Sequence, residues 1–225
     1  MGQVIYLDER RVGRSKNQQD VGPAFFFDVS SPLSYLMAER VERKLGSVEW
    51  VAADGALLRR IAAETADGDD APHLDATERG PLRVRAEACA RALRLPLVWP
   101  DRFPGASPCA QRACSFACEL GAGAAFALAA SRLAFCGGFD LEDPETLAEA
   151  AAAAGVPLEE CLTAAGETWR DEELEATVRH LHANGVTELP AIRIGGRWIQ
   201  GESGLLVAGT LLSQAASDRS LRPIA

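Results

Sequence analysis

Two hydroxyls three residues apart, Ser31 and Ser34, bracket a proline in Ser31-Pro32-Leu33-Ser34, directly after the apolar run Phe25-Phe26-Phe27-Asp28-Val29. The run is bulky enough for a buried strand, and Ser31 followed by Pro32 predicts a helix N-cap with proline in the first helical position, where its missing N–H costs nothing. Leu36, Met37, Val41 and Leu45 then share one helix face, and Gly46 ends it. A hydroxyl at such an N-cap meets unsatisfied backbone N–H groups and the positive end of the helix dipole. An anion brought there, a thiolate or a carboxylate, is stabilised by several partial charges at once. The same residues also suit a plain cap, with Ser31 holding its own helix.

The elements that must position this turn follow from the pattern downstream. Val48 to Ala53 alternates as a second strand, giving a parallel strand-helix-strand unit. Leu57, Leu58 and Ile61 predict a short helix, and 67–72 a surface loop. From Leu82 to Asn184 the pattern is helical: Leu82 to Leu95, Pro108 to Phe135, Pro144 to Ala154, Leu158 to Ala165 and Glu167 to Asn184, each stopped by Pro or Gly or followed by one. About 100 helical residues between strands exceed a crossover and predict an inserted helical domain over 82–184. Two short strands then meet across Gly195-Gly196 as a hairpin, and Leu205 to Ala216 forms a closing amphipathic helix. The domain reading is a polar N-terminal arm over 1–22, a sheet domain built from 23–81 and 185–225, and the helical insertion 82–184.

Composition excludes some functions. The 225 residues suffice for one sizeable core, and a net charge of -9 with a pI near 4.9 argues against nucleic acid or an anionic membrane surface as partner. Of 23 basic residues only Lys16 and Lys44 are lysine, which assigns no site. No stretch is apolar for long enough to span a bilayer; Gly121 to Ala130 is alanine-rich and ends at Ser131-Arg132. Val4-Ile5-Tyr6-Leu7 followed by Asp8-Glu9-Arg10-Arg11 lacks a secretory layout, and Tyr6 breaks the myristoylation pattern opened by Met1-Gly2, so a cytoplasmic location is expected.

None of the six cysteines forms a Cys-x-x-Cys pair, and reduced thiols are expected. Cys109, Cys114 and Cys118 lie close in sequence without a neighbouring histidine, amid Ala110, Ala113, Phe116 and Ala117, so small buried side chains are favoured over a metal cluster. No metal is expected. His180 and His182, two apart on a helix, face different ways and suit the surface.

Phe27-Asp28-Val29-Ser30-Ser31-Pro32-Leu33-Ser34-Tyr35-Leu36 resembles the opening of the DsbA-like thioredoxin-fold proteins, whose redox members carry Cys-Pro-x-Cys there. The serine version resembles 2-hydroxychromene-2-carboxylate isomerases and kappa-class glutathione transferases. By that match Ser31 meets the glutathione sulfur and Ser30 is its neighbour. Phe103-Pro104 with Ser107 to Ala113, and Asp140 to Leu147, match the same family, and Leu189-Pro190 resembles its cis-proline loop. The likeness runs over roughly 24–215. It implies an α/β, thioredoxin-like fold with a large all-helical insertion. It departs at Gly201-Glu202-Ser203-Gly204-Leu205, where the isomerases have Gly-x-Asp-Arg-Leu: Ser203 stands at the aspartate that meets the glutamyl amine, with Glu202 beside it.

The resemblance implies a thiol-dependent cis-trans isomerase or glutathione transferase. Its cofactor is glutathione or another low-molecular-weight thiol, held by Ser31, Pro32, Leu189, Pro190, Glu202 and Ser203. Trp99, Phe103 and Trp198 are candidates for an apolar pocket taking a small aromatic or unsaturated substrate. The backbone of Leu189 would pair with the thiol's cysteinyl part as an added strand. Whether the chain forms a homodimer stays open. A redox-inactive module holding a peptide or partner protein along Leu189-Pro190 is the alternative. A disulfide oxidoreductase ranks below both, because a serine hydroxyl cannot form the mixed disulfide that exchange requires.

Overall fold

The computed structural model describes residues 22–65, 76–103 and 105–220, without the side chains of 76–79 and 215–220. The expected arm (1–22, save Gly22) and the loop at 67–72 lie outside the described residues. β1 (Ala24–Phe27) is buried along its whole length, being an inner strand with both of its faces covered. α1 (Pro32–Leu45) follows, with Ser31 as N-cap and Pro32 in its first turn, and ends at Gly46, whose φ of 73° favours glycine. β2 (Glu49–Ala52) lies parallel to β1, and α2 (Gly55–Thr65) and α3 (Ala76–Leu93) come next.

Four further helices, α4 (Pro108–Glu119), α5 (Gly123–Gly137), α6 (Pro144–Ala154) and α7 (Leu158–Gly166), lead to α8 (Arg170–Ala183). The chain ends in β3 (Ala191–Ile194), β4 (Arg197–Gln200) and α9 (Gly204–Ser220). The sheet order is β2-β1-β3-β4, with β3 antiparallel to both β1 and β4. This is the thioredoxin-like arrangement, mostly helical.

Alternation along β1 divides the core. Phe25 and Phe27 face Trp50 and pack with Leu36, Val41, Phe126, Phe135 and Leu147 of α1, α5 and α6, whereas Ala24 and Phe26 face Leu58 and Ile61 of α2 and Val178 and Leu181 of α8. The expected insertion 82–184 thus divides: α4 to α7 extend the first core, while α8 joins α2 in covering the opposite sheet face.

The expected single helix from Pro108 to Phe135 is two helices. The chain breaks at Gly121, whose φ is 76°, and Gly123 then sits so close to α4 that a Cβ there would lie 2.5 Å from Cys118 Sγ. Helical periodicity runs through alanine-rich sequence on both sides and hides the break. Likewise α3 begins at Ala76, six residues before Leu82, and carries Pro81 inside it, where proline ordinarily marks a helix boundary.

Candidate functional site

The serine turn is built from short-range hydrogen bonds. Ser31 has extended backbone angles (φ -96°, ψ 124°) and its Oγ accepts the N–H of Ser34 at 3.4 Å, a long cap bond. Its own N–H donates to the carbonyl of Asp28 at 3.0 Å. No acidic side chain occupies the first turn of α1. Ser34 is buried and its Oγ turns back to accept the N–H of Asp28 at 3.1 Å.

Asp28 is a centre that sequence reasoning missed. It is 5% exposed, and its carboxyl accepts from four donors: Ser30 N–H (2.8 Å), Ser30 Oγ–H (2.6 Å), Gln111 Nε2 of α4 (2.5 Å) and Gly55 N–H of α2 (3.0 Å). Glycine at 55 permits the last contact, since a Cβ there would lie 2.8 Å from Asp28 Oδ2. Burial pushes the Asp28 carboxyl up from its ordinary value, the charge of Asp54 pushes it further, and the bonds from Ser30 and Gly55 pull it back. The signal in the sequence was a lone carboxylate closing an apolar run.

Ser30, rather than Ser31, lines a cleft of about 420 Å³ between the serine turn, the loop before α4 and the loop after α5. Phe103, Phe135 and Phe139 give it an apolar wall, with Arg102, Ser107 and Glu142 at its polar parts. Glu142 caps α4 by accepting the N–H of Cys109 at 3.0 Å, and Ser107 makes no side-chain cap bond. Asp140 on the rim is held below its ordinary value, first by the N–H of Glu142 and then by Arg102.

The three aromatic candidates do not converge. Phe103 lines the cleft, and Trp99 packs behind it, ring centroids 4.7 Å apart, with Arg83 over its face and its indole N–H donating to Glu87. Trp198 lies on the other face of the sheet against Phe26 and His180, because its pairing with Arg193 puts it on the side of Ala24 and Phe26. Trp198 is therefore removed from the pocket, and Phe135 and Phe139 take its place.

Leu189-Pro190 is a cis peptide; both residues are buried, and Pro190 C=O accepts the N–H of Gly201 at 2.9 Å. Glu202 is engaged by Arg85 of α3 at 2.6 Å and 3.3 Å, and Arg85 also reaches Glu188 at 3.3 Å. Arg85 holds the Glu202 carboxyl below its ordinary value. Ser203 is exposed just before α9.

All six cysteines are free; Cys114 and Cys161 are buried, and burial raises Cys161 to about 11. No cluster of three or more potential ligands is placed to hold a metal among the described residues, and no described helix is long and apolar enough to cross a membrane.

Residues 24–208 match the model of the DSBA-like thioredoxin domain family, and the chain belongs to that family. Among solved structures it is similar to 2-hydroxychromene-2-carboxylate isomerase, with a TM-score of 0.73 at 16% identity over 90% of this chain and 100% of that one. It is also similar to a chain described as a probable DsbA oxidoreductase from Streptomyces coelicolor (TM-score 0.65, 22% identity, 90% and 92% covered). A third is the cytosolic disulfide reductase DsbM from Pseudomonas aeruginosa with GSH (TM-score 0.59, 15% identity, 88% and 100% covered). At these identities the likenesses establish the fold. A search of curated proteins by sequence finds no match.

Proposed function

We propose that the chain is a glutathione- or other thiol-dependent isomerase or transferase acting on a small aromatic or unsaturated substrate. The observation that carries this reading is the serine turn itself: a hydroxyl N-cap on a 14-residue helix with no acidic first-turn residue, beside an aromatic cleft. Ser31 donates a hydrogen bond to the thiolate, and the first N–H groups of α1 lower the thiol's pKa, each unit corresponding to about 1.4 kcal/mol in favour of the anion. Leu189 beside the cis Pro190 pairs its backbone with the cysteinyl part. Phe103, Phe135 and Phe139 hold the flat apolar substrate and exclude water. Bound there, the thiol supplies a nucleophile that adds to the substrate's double bond and leaves after rotation.

The 2-hydroxychromene-2-carboxylate isomerase likeness and the serine at position 31 support an isomerase over a disulfide reductase, since no cysteine stands at 31 or 34. One observation favours the second reading, a redox-inactive module for a peptide or partner protein: Glu202 already has a partner in Arg85, and Ser203 offers no carboxylate to a glutamyl amine. Calorimetry with glutathione and with other small thiols tests the proposal. Saturable binding with appearance of thiolate absorbance is expected. Absence of binding by every thiol would leave the binding-module reading.

A further inference from the structure

We propose that Ser30 and Asp28 form a proton relay, in which Asp28 takes the proton of an acid bound in the cleft through the hydroxyl of Ser30. The relay deepens the thiol reading above and rests on it for the identity of the acid. Its geometry is a chain of two groups, leading from the cleft to a buried carboxyl. Ser30 lines the cleft, its Oγ–H donates to Asp28 Oδ1 at 2.6 Å, and Asp28 lies buried behind it. A hydroxyl so placed accepts a proton on its cleft side while releasing its own on the other.

The transfer balances without an oxidant or reductant. The thiol S–H bond breaks, sulfur keeps the electron pair as thiolate, and its proton goes to Ser30 Oγ. The proton that Ser30 held goes to Asp28 Oδ1. Ser30 is then a donor to the thiolate, next to Ser31 and the α1 N-terminus.

Gln111 fits both states of Asp28. Its Nε2 donates to the carboxylate at 2.5 Å, and its Oε1 is buried without a partner among the described residues. Once Asp28 is protonated its new O–H is held by Ser30 Oγ, and the Gln111 amide turned over presents Oε1 as a second acceptor. Among the described residues, Asp54 before α2 and Cys114 on α4 act electrostatically on Asp28, and Arg59 on α2 reaches the same Gly55 position that Asp28 Oδ2 borders. The burial that raises Asp28 makes it a stronger proton acceptor than an exposed aspartate.

The test has two arms. In the ligand-free protein, infrared difference spectra between wild type and Asp28→Asn isolate the carboxylic-acid carbonyl band of Asp28. The band is expected to titrate above the ordinary aspartate range and to shift in Ser30→Ala, which keeps the backbone bond and the other donors. A band titrating in the ordinary range, or unmoved in Ser30→Ala, overturns the relay whether or not any thiol binds. The second arm titrates glutathione by calorimetry in two buffers of different ionisation heat, with thiolate absorbance followed in parallel. Wild type should form thiolate and release close to no proton to buffer, and Ser30→Ala close to one per thiolate formed. Equal release by both overturns the relay. If glutathione fails to bind while the infrared result holds, the thiol reading fails and the Ser30–Asp28 pair stands as a relay for another acid. Should Asp28→Asn not fold, Gln111→Ala, which removes one donor, is expected to move the band and serves as the reference.

Discussion

Ser34 Oγ accepts the backbone N–H of Asp28 at 3.1 Å, so the second hydroxyl of the serine motif closes the turn on which the first is mounted. Ser34 is buried and Asp28 N–H has this acceptor in place of a strand partner. Ser34→Ala leaves that N–H buried and unsatisfied, a loss of about 1–3 kcal/mol. Urea unfolding should show it as a lower midpoint at unchanged slope, and a shift near zero would mean water replaces the hydroxyl.

Ser31→Ala should behave differently. Its cap bond is long, at 3.4 Å, so the stability loss falls at the low end of cap values, about 0.5 kcal/mol. The pKa of a bound thiol should rise, as the hydroxyl no longer favours the anion. Spectrophotometric titration of bound glutathione reads this directly. An unchanged titration in Ser31→Ala would reduce that hydroxyl to a cap.

Positions 31 and 34 being serine, the protein should neither reduce insulin nor oxidatively refold a reduced substrate. Turnover in either assay that disappears on replacing Cys114 or Cys118 would move the chemistry to α4.

Asp28 gives a pH signature in stability. Its folded pKa is raised above the ordinary value of 3.8, so its favourable contribution is complete below that pH and lost as pH rises through the folded value. The unfolding free energy of wild type relative to Asp28→Asn should therefore decrease on going from acid toward neutral pH, then level off. A difference that grows with pH would mean the four donors outweigh burial and hold the carboxyl ionised.

The parts of this molecule legible in sequence are those made by neighbours along the chain. Ser31, Pro32 and Gly46 bound α1 because caps and breakers act within one turn, and Gly195-Gly196 turns the hairpin for the same reason. The cis bond at Pro190 came from the family likeness and is present. Contacts between distant segments were not legible. Gln111 meets Asp28 across 83 positions, and nothing local marks a glutamine for that role. Trp198 was misplaced because one step along a strand exchanges sheet faces, and register is set by pairing with β3. Arg85 sits on a helix whose start was read six residues late, and its bond to Glu202 spans 117 positions.

That last pair offers a test of the thiol reading at the ligand's amine end. Arg85 holds Glu202 at 2.6 Å and Glu188 at 3.3 Å, with the Arg85 side chain 44% and Glu202 32% exposed. Pairs this exposed are worth about 0–1 kcal/mol, so removing one should leave stability nearly unchanged. Recognition should change more. With its carboxylate engaged by Arg85, Glu202 gains little from a ligand ammonium, and wild type should bind glutathione and its analogue lacking the glutamyl amine about equally. Arg85→Ala frees Glu202 and Glu188, and the amine should then bring a preference of roughly 2- to 5-fold, the equivalent of about 0.4–1 kcal/mol for an exposed ion pair. Adding Glu202→Gln should erase most of that preference. Calorimetry with the two ligands on the three proteins measures each ratio. A strong preference for the amine in wild type would show that Glu202 leaves Arg85 for the ligand, and an unchanged ratio in Arg85→Ala would place the amine away from this cluster.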